Sequence, residues 1–227
     1  MDRYAVIDTS LPREFVLLQG TGCRWRRCTF CNYHEDTSLN PFEINREVLQ
    51  RVTGVHKVLD VINSGSAMEI DDETIELLRC IIAEKNIETV WFEAHYMYRY
   101  RLAEFAKKFA PAKVKFRCGV ESFDAELRKK WNKGIAIDVT PEDIAGYFDG
   151  VCLLCCTKGE SRERIVKDIE IAKRHFEYFS VNVFCNNGTA VERDEELVCW
   201  FEKELYPLLK DTPSVEVLMN NTDLGVG

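Results

Sequence analysis

Short apolar runs alternate along the chain with longer segments in which apolar residues recur every three or four positions. The short runs predict buried strands, and the periodic segments predict amphipathic helices. The predicted strands are 15–18, 58–62, 88–93, 113–119, 150–156, 178–185 and 215–219. The predicted helices are 43–53, 71–84, 98–109, 123–131, a helix starting at 140–141, 161–176 and 194–209.

The strict alternation of strand and helix predicts an α/β fold with a parallel sheet, because parallel neighbours need a crossover of about a dozen residues or more. We count about six βα units. A closed or partial barrel and an open doubly wound sheet both fit this order. In either architecture, ligands bind beyond the carboxyl ends of the strands.

The loop after the first predicted strand carries three thiols, in the segment Cys23-Arg-Trp-Arg-Arg-Cys28-Thr-Phe-Cys31. Gly20 and Gly22 precede it and permit tight turn geometry. Four interpretations stay open. They are a three-cysteine iron–sulfur cluster with one open iron, a zinc site completed by His34, a plant-type [2Fe–2S] site, and structural thiols.

Charge and hydropathy limit the partners. The chain of 227 residues has a formal net charge of −8, which argues against a protein that binds the phosphate backbone, so we expect no nucleic-acid partner. No run approaches the roughly 18 apolar residues of a membrane-spanning helix, so we expect no membrane partner. Ten cysteines without a secretory signal indicate reduced thiols and a cytoplasmic protein.

The cysteine loop resembles that of the radical S-adenosylmethionine (SAM) superfamily. The usual spacing there is Cys-x3-Cys-x2-Cys with an aromatic residue before the last cysteine, which Phe30 matches, although this chain has one more residue between Cys23 and Cys28. The segment Asn63-Ser-Gly-Ser-Ala-Met-Glu69 lies where the family presents a small-residue turn to the SAM amino group. The segment Gly119-Val-Glu-Ser122 lies where polar side chains meet its ribose or carboxylate.

Over its whole length, the chain is similar to the compact subgroup that includes queuine lyase, an enzyme of queuine salvage. The segments that carry this similarity are 22–34, 61–66, 92–95, 119–124 and 220–227. The similarity implies a single-domain partial (β/α)6 TIM-like barrel with a parallel sheet. The domain would span residues 1–227, with the cluster loop at about 20–40.

The resemblance also implies a chemistry. Cys23, Cys28 and Cys31 would hold a [4Fe–4S] cluster, and SAM would chelate its fourth iron. A 5′-deoxyadenosyl radical derived from SAM would abstract hydrogen from queuine, and a carbon–nitrogen bond would break to release 7-aminomethyl-7-deazaguanine (preQ1). The implied SAM-binding residues are Phe30, Asn63, Ser64, Gly65, Ser66, Glu69, Arg117 and Glu121.

A deazaguanine base presents a donor-rich edge that a carboxylate accepts in bidentate fashion. The candidate substrate residues lie near strand ends and are Glu93, His95, Asn186, Asn220, Asn221 and Asp223, with Glu121 as a further carboxylate. Glu93 and Glu121 alternatively bind SAM, and Asn220 and Asn221 alternatively only turn the chain. Another small-molecule radical SAM activity, a zinc-binding module and an electron carrier are the rival functions.

Two partner expectations follow from the same resemblance. The cluster would need an electron donor such as flavodoxin or ferredoxin, and a partly open barrel leaves room for a homodimer. Arg24, Arg26 and Arg27 form a basic group in the cysteine loop. This group either receives an acidic donor, raises the cluster potential or pairs with nearby acids.

Overall fold

One sheet of eight sequential strands forms the centre of the fold in the computed structural model, which describes residues 2–9 and 11–226. The predicted domain limits, residues 1 and 227, lie outside the described residues. The strands are β1 Tyr4–Ile7, β2 Arg13–Leu18, β3 Val58–Asn63, β4 Thr89–Glu93, β5 Lys113–Glu121, β6 Gly150–Cys155, β7 Tyr178–Val183 and β8 Val215–Leu218.

Strands β2 to β8 are parallel to one another in chain order, and β1 pairs with β2 in antiparallel fashion. The sheet curls into a partial TIM-like barrel, which confirms the predicted fold class. The seven predicted strands are all present. Strand β1 was not predicted, because a four-residue run that is mostly part-exposed carries too little alternation to identify it.

The helices pack on the outer face of the sheet. They are α1 Phe42–Leu49, α2 Asp72–Glu84, α3 Leu102–Lys107, α4 Ala125–Lys130, α5 Pro141–Ala145, α6 Arg162–His175, α7 Glu195–Trp200 and α8 Tyr206–Leu209. A π-helical turn at Phe201–Leu205 joins α7 to α8, and short 3-10 turns occupy Tyr33–Glu35, Ala67–Glu69 and Tyr96–Arg101. No helix in the described ranges is long and apolar enough to cross a membrane.

The predicted helix starts coincide with capping side chains. Asp71 accepts the Thr74 N–H at the start of α2, and Thr140 forms a capping box with Asp143. Ser161 accepts the Arg164 N–H at the start of α6. These caps satisfy backbone donors that a first helical turn leaves without partners. Two predicted helices differ, because 98–109 divides into a 3-10 turn and α3, and 194–209 divides into α7, the π-helical turn and α8.

Apolar side chains of the strands face the helices and form the main core, whereas several charged side chains face the barrel interior. Arg13 is fully buried, with its Nε 2.7 Å from Asp60 Oδ2 and its Nη2 2.7 Å from Glu216 Oε2. Arg117 binds the other oxygen of Asp60 at 2.5 Å, and the Tyr178 hydroxyl donates to Glu216 at 2.7 Å. Two cations therefore balance two anions at this level.

The ion pairs also close the open side of the sheet, because β2 and β8 are not neighbours in the strand order. Arg13 begins β2, and its partner Glu216 belongs to β8. Farther along the chain, Val226 packs with Ile7 and Phe15, so the C-terminal segment covers the same gap. The barrel is therefore joined by one charged and one apolar contact.

Burial alone would raise the pKa of Asp60, but the charges of Arg117 and Arg13 lower it. Removing one cation leaves a buried carboxylate without full compensation. We therefore expect Arg13→Met to lower the free energy of unfolding by about 3–5 kcal/mol, measured by urea denaturation. Arg46→Met, which breaks an exposed pair with Glu43, is the control and should cost less than about 1 kcal/mol. Equal losses in the two variants would contradict this account.

Candidate active site

The loop between β2 and α1 is tied to the sheet at its start. The Gly20 N–H donates to Ser64 Oγ at 2.9 Å, and Asn45 accepts the Gln19 N–H at 2.7 Å. A backbone bridge joins Gly20 to Thr37, so the loop returns to where it leaves the sheet. These bonds hold the cysteine segment over the carboxyl ends of the first strands.

Trp25 fixes the middle of the cysteine loop. Its indole N–H donates to the Asn132 carbonyl oxygen at 2.8 Å, and its ring stacks on His95 with 5.4 Å between centroids. Gly134 has a φ of +74°, and a Cβ there would come within 2.3 Å of the Trp25 ring. Glycine is therefore required at this position by both backbone conformation and space.

The three predicted cluster ligands lie on this loop as free thiols. Cys28 and Cys31 pack against the small apolar cluster of Phe30, Leu127, Trp131 and Phe184. Burial raises the pKa of Cys28 to about 11, opposed by the charge of Lys133, and burial also raises the pKa of Cys31. The ionised thiolates that iron–sulfur ligation requires therefore need compensating positive charge from iron.

Within residues 2–9 and 11–226, no three Cys, His, Asp or Glu side chains are grouped closely enough to hold a single metal ion. In a [4Fe–4S] cluster bound by three cysteines, each thiolate binds a different iron. The donor set of three thiols on one anchored loop fits that cluster. Among the described residues, His34 is not grouped with the three cysteines as a zinc site would require.

The predicted SAM turn lies against the cysteine loop. Glu69 accepts the Ser66 N–H at 2.9 Å, the Arg24 N–H at 3.1 Å and the Tyr98 hydroxyl at 2.6 Å. A Cβ on Gly65 would lie 2.2 Å from Glu69 Oε2 and 3.2 Å from the Gly22 carbonyl oxygen. The turn and the cysteine loop are therefore in close contact, and the bare backbone of Gly65 permits it.

The other polar members of the turn also bond to the protein. Asn63 Nδ2 donates to the Ser66 carbonyl oxygen at 3.3 Å, and Ser66 Oγ accepts the His95 N–H at 3.0 Å. His95 uses both ring nitrogens, since Nδ1 accepts the Met97 N–H at 3.1 Å and Nε2 donates to the Lys133 carbonyl oxygen at 2.6 Å. In this structure His95 joins the turn, the cysteine loop and the segment after α4.

Glu121 and Lys133 form a buried ion pair at the carboxyl end of β5. Lys133 Nζ donates to Glu121 Oε1 at 2.8 Å and lies 5.6 Å from the Phe30 ring centroid. Glu121 has a φ of +66° beside a bulge in β5. A left-handed conformation is costly for a glutamate, and the pair with Lys133 offsets that cost. Burial would lower the pKa of Lys133, but Glu121 raises it well above its usual value.

Glu93 lies in the same interior without such a partner. A Cβ on Gly119 would lie 3.3 Å from Glu93 Oε1 and 2.8 Å from Glu121 Oε1, so the two carboxylates flank this glycine. In the described part of the chain, the one polar contact of the Glu93 carboxylate is Cys152 Sγ at 3.9 Å, and it forms no ion pair. Burial raises the pKa of Glu93, opposed by Arg117.

The remaining predicted residues are more dispersed. Arg117 is the register partner of Glu93 on the neighbouring strand, and its guanidinium pairs with Asp60. Asn186 is exposed and accepts the Arg193 N–H at 2.8 Å. Asp223 accepts the Met219 and Asn220 N–H groups in the turn after β8, where Asn220 and Asn221 are exposed.

Lys133 was not identified from the sequence. It follows helix α4 rather than a strand, and the rule that ligands bind at the carboxyl ends of parallel strands does not point to such a position. The segment Trp131-Asn-Lys-Gly134 offers one signal, because a glycine after a helix marks a turn that returns the chain to the sheet.

Comparisons with known proteins identify the family. No protein-family model and no curated protein matches the chain. Among solved structures, a queuine lyase from Clostridium spiroforme bound to SAM and queuine is 41% identical, with a TM-score of 0.95. The match covers 100% of this chain and 99% of that one. The chain belongs to the queuine lyase family.

Methylornithine synthase is similar with a TM-score of 0.59 at 15% identity, covering 92% of this chain and 73% of that one. This second match supports the fold. Queuine lyase family members are radical SAM enzymes whose cofactors are SAM and a [4Fe–4S] cluster, as the cysteine loop predicts. The superfamily assignment made from the extended Cys-x4-Cys-x2-Cys spacing is therefore confirmed.

His95 gives this site a measurable pH dependence. Burial and the charge of Lys133 lower the pKa of His95 to about 4, whereas an unfolded histidine titrates near about 6.5. Between these values the unfolded state binds the proton and the folded state does not, so stability falls as the pH falls. The contribution amounts to about 2 kcal/mol between about pH 7 and pH 5.

His95→Gln keeps an N–H donor but does not titrate. We therefore expect the difference in free energy of unfolding between wild type and His95→Gln to shrink by about 2 kcal/mol over that pH range. Urea denaturation of the cluster-free proteins measures it. A difference that stays constant with pH would show that His95 is not the group responsible.

Proposed function

We propose that this chain is a carbon–nitrogen lyase that cleaves queuine to preQ1 for queuosine salvage. The observation that carries the proposal is the unpartnered carboxylate of Glu93, which lies inside a barrel that matches a queuine-bound structure over its full length. Glu93 is part-buried, and a ligand that covers its carboxylate must supply hydrogen-bond donors, because a carboxylate removed from water without donors is costly. The aminopyrimidinone edge of a deazaguanine is such a donor.

Cys23, Cys28 and Cys31 would hold the cluster in this proposal. When bound, the cluster and SAM supply the reductive cleavage that produces a 5′-deoxyadenosyl radical. The turn at 63–69 would bind the SAM amino group, because it is fixed directly against the cysteine loop. Phe30 would cover the site from the side of Trp131. The chain would act as one domain, with its cluster loop at about 20–40.

The two interior carboxylates would have different roles. Glu121 is already neutralised by Lys133, so it would accept hydrogen bonds from SAM without adding net charge to the site. Glu93 would accept from the ring N–H and amino groups of the base. Arg117, bonded to Asp60 below, would support Glu93 electrostatically rather than contact SAM.

Asn186, Asn220, Asn221 and Asp223 complete the proposal at the mouth of the barrel. Their side chains lie after β7 and β8 and would bind the cyclopentenediol hydroxyls of queuine. Asp223 orders this turn through its bonds to the Met219 and Asn220 N–H groups. The diol would therefore project toward solvent while the base reaches Glu93.

The test is anaerobic reconstitution followed by incubation with SAM, dithionite and queuine. Mass spectrometry should detect 5′-deoxyadenosine and preQ1, both dependent on queuine. Cys28→Ala, which removes one ligand, should lose the cluster absorbance and both products. Formation of 5′-deoxyadenosine without preQ1 would reject queuine as the substrate, and full activity in Cys28→Ala would reject the cysteine loop as the cluster site.

Glu93→Gln tests the substrate contact. The amide keeps the shape of the side chain but replaces a charge-assisted acceptor, which is worth about 1.5–3 kcal/mol. We expect kcat/KM for queuine to fall about ten- to hundredfold, while the affinity for SAM, measured by calorimetry, is unchanged. Glu88→Gln, at an exposed position just before the same strand, is the matched control. A selective loss of SAM affinity in Glu93→Gln would assign Glu93 to SAM instead.

A further inference from the structure

Five exposed cations lie on the cysteine loop and on the last turn of α4, two segments that are hydrogen-bonded to each other. We call this group the basic face. Its members are Arg24, Arg26, Arg27, Lys129 and Lys130. The protein as a whole has a net charge of −8, so this face has the opposite sign to the molecule.

None of these five cations forms an ion pair within residues 2–9 and 11–226, although most arginines elsewhere in that part of the chain do. In the described residues, no carboxylate therefore lies within ion-pair distance of these cations. Because these charges have the same sign and lie close together, their electrostatic potentials add. The summed potential attracts an anionic partner from a distance.

The basic face is also held rigidly. The Thr29 N–H donates to the Trp131 carbonyl oxygen at 3.0 Å, and Asn132 Nδ2 donates to the Arg27 carbonyl oxygen at 3.0 Å. The Arg27 guanidinium lies 5.4 Å from the centroid of the Trp25 ring, which itself stacks on His95. The cations of the loop and those of α4 therefore keep a fixed relation to each other.

The same surface lies directly over the thiols. The Arg26 N–H approaches Cys23 Sγ at 3.4 Å, and Arg27 immediately precedes Cys28. A partner seated on the basic face would come closer to the cysteines than a partner on any of the helices α1, α2 or α6, which cover the outer wall. The basic face therefore combines positive charge in a fixed position with closeness to the three cysteines.

We propose that the basic face is the docking surface for a small acidic electron-carrier protein, a proposal that rests on the proposed function. In each encounter the reduced carrier loses one electron and the oxidised cluster gains it, with no proton or atom transferred. A nucleic acid fits less well, because the face is small and the surrounding net negative charge repels an extended polyanion.

The experiment measures binding of a recombinant acidic flavodoxin to the cluster-reconstituted protein by biolayer interferometry at low and high salt. We expect saturable binding that weakens as salt rises. The variant Lys129→Glu with Lys130→Glu should bind about tenfold more weakly at low salt, and the difference should shrink at high salt. Neither lysine belongs to the cluster or substrate site.

The matched control is Lys107→Glu with Lys173→Glu. These lysines are also exposed, form no ion pair in the described chain and lie in the last turns of helices. Both double variants therefore change the net charge by the same amount and replace cations at helix ends. The control should bind flavodoxin like the wild type. Equal weakening in both double variants would overturn the docking site, because it would reflect net charge alone.

Two activity assays and one RNA-binding assay complete the test. Product formation driven by dithionite should be the same in both double variants and the wild type. If the proposed function is wrong, the wild type forms no product with dithionite, whereas the binding assay is unaffected. Product formation driven by reduced flavodoxin should fall only in the variant of Lys129 and Lys130. Flavodoxin that shows no binding, together with RNA that binds the wild type and not this variant, would assign the face to nucleic acid and overturn the proposal.

Discussion

A buried guanidinium joins the first parallel strand of this barrel to the last. Arg13 bridges Asp60 on β3 and Glu216 on β8, and it does so without any exposed surface. Because ions in a protein interior are stable only when paired, the position of each partner is strongly constrained by the others. The charged layer therefore forms a floor of defined geometry beneath the site.

In the site above this charged layer, two neighbouring carboxylates differ in whether a cation neutralises them. Glu121 and Glu93 flank the same glycine, yet Glu121 is bound by Lys133, whereas in the described part of the chain the one hydrogen-bond contact of Glu93 is a cysteine thiol. The ion pair with Lys133 offsets the charge of Glu121. Glu93 has no ion-pair partner in the described residues and can accept hydrogen bonds from a ligand. Chemically similar side chains thus acquire different capacities from their neighbours alone.

The sequence was most informative where a local rule decides structure. Asp71, Thr140 and Ser161 begin helices through bonds within their own turn, so their patterns suffice. The start of β2 was misplaced because Arg13 and Glu14, which look like loop residues, are fully buried in the strand. Their partners are distant along the chain, and periodicity carries no information about them. The same reason hid Lys133, whereas the cysteine spacing and the family resemblance revealed the cluster loop.

The contact between Arg13 and Glu216 joins positions 203 residues apart, and this separation bears on how the molecule acquires its structure. Each neighbouring pair of parallel strands forms across one or two helices, but this contact requires nearly the whole chain to be in place. The entropy of closing so large a loop grows only slowly with its length, yet it must be overcome before the contact contributes. We therefore expect the contact between β2 and β8 to form late in folding, after the neighbouring strands have paired.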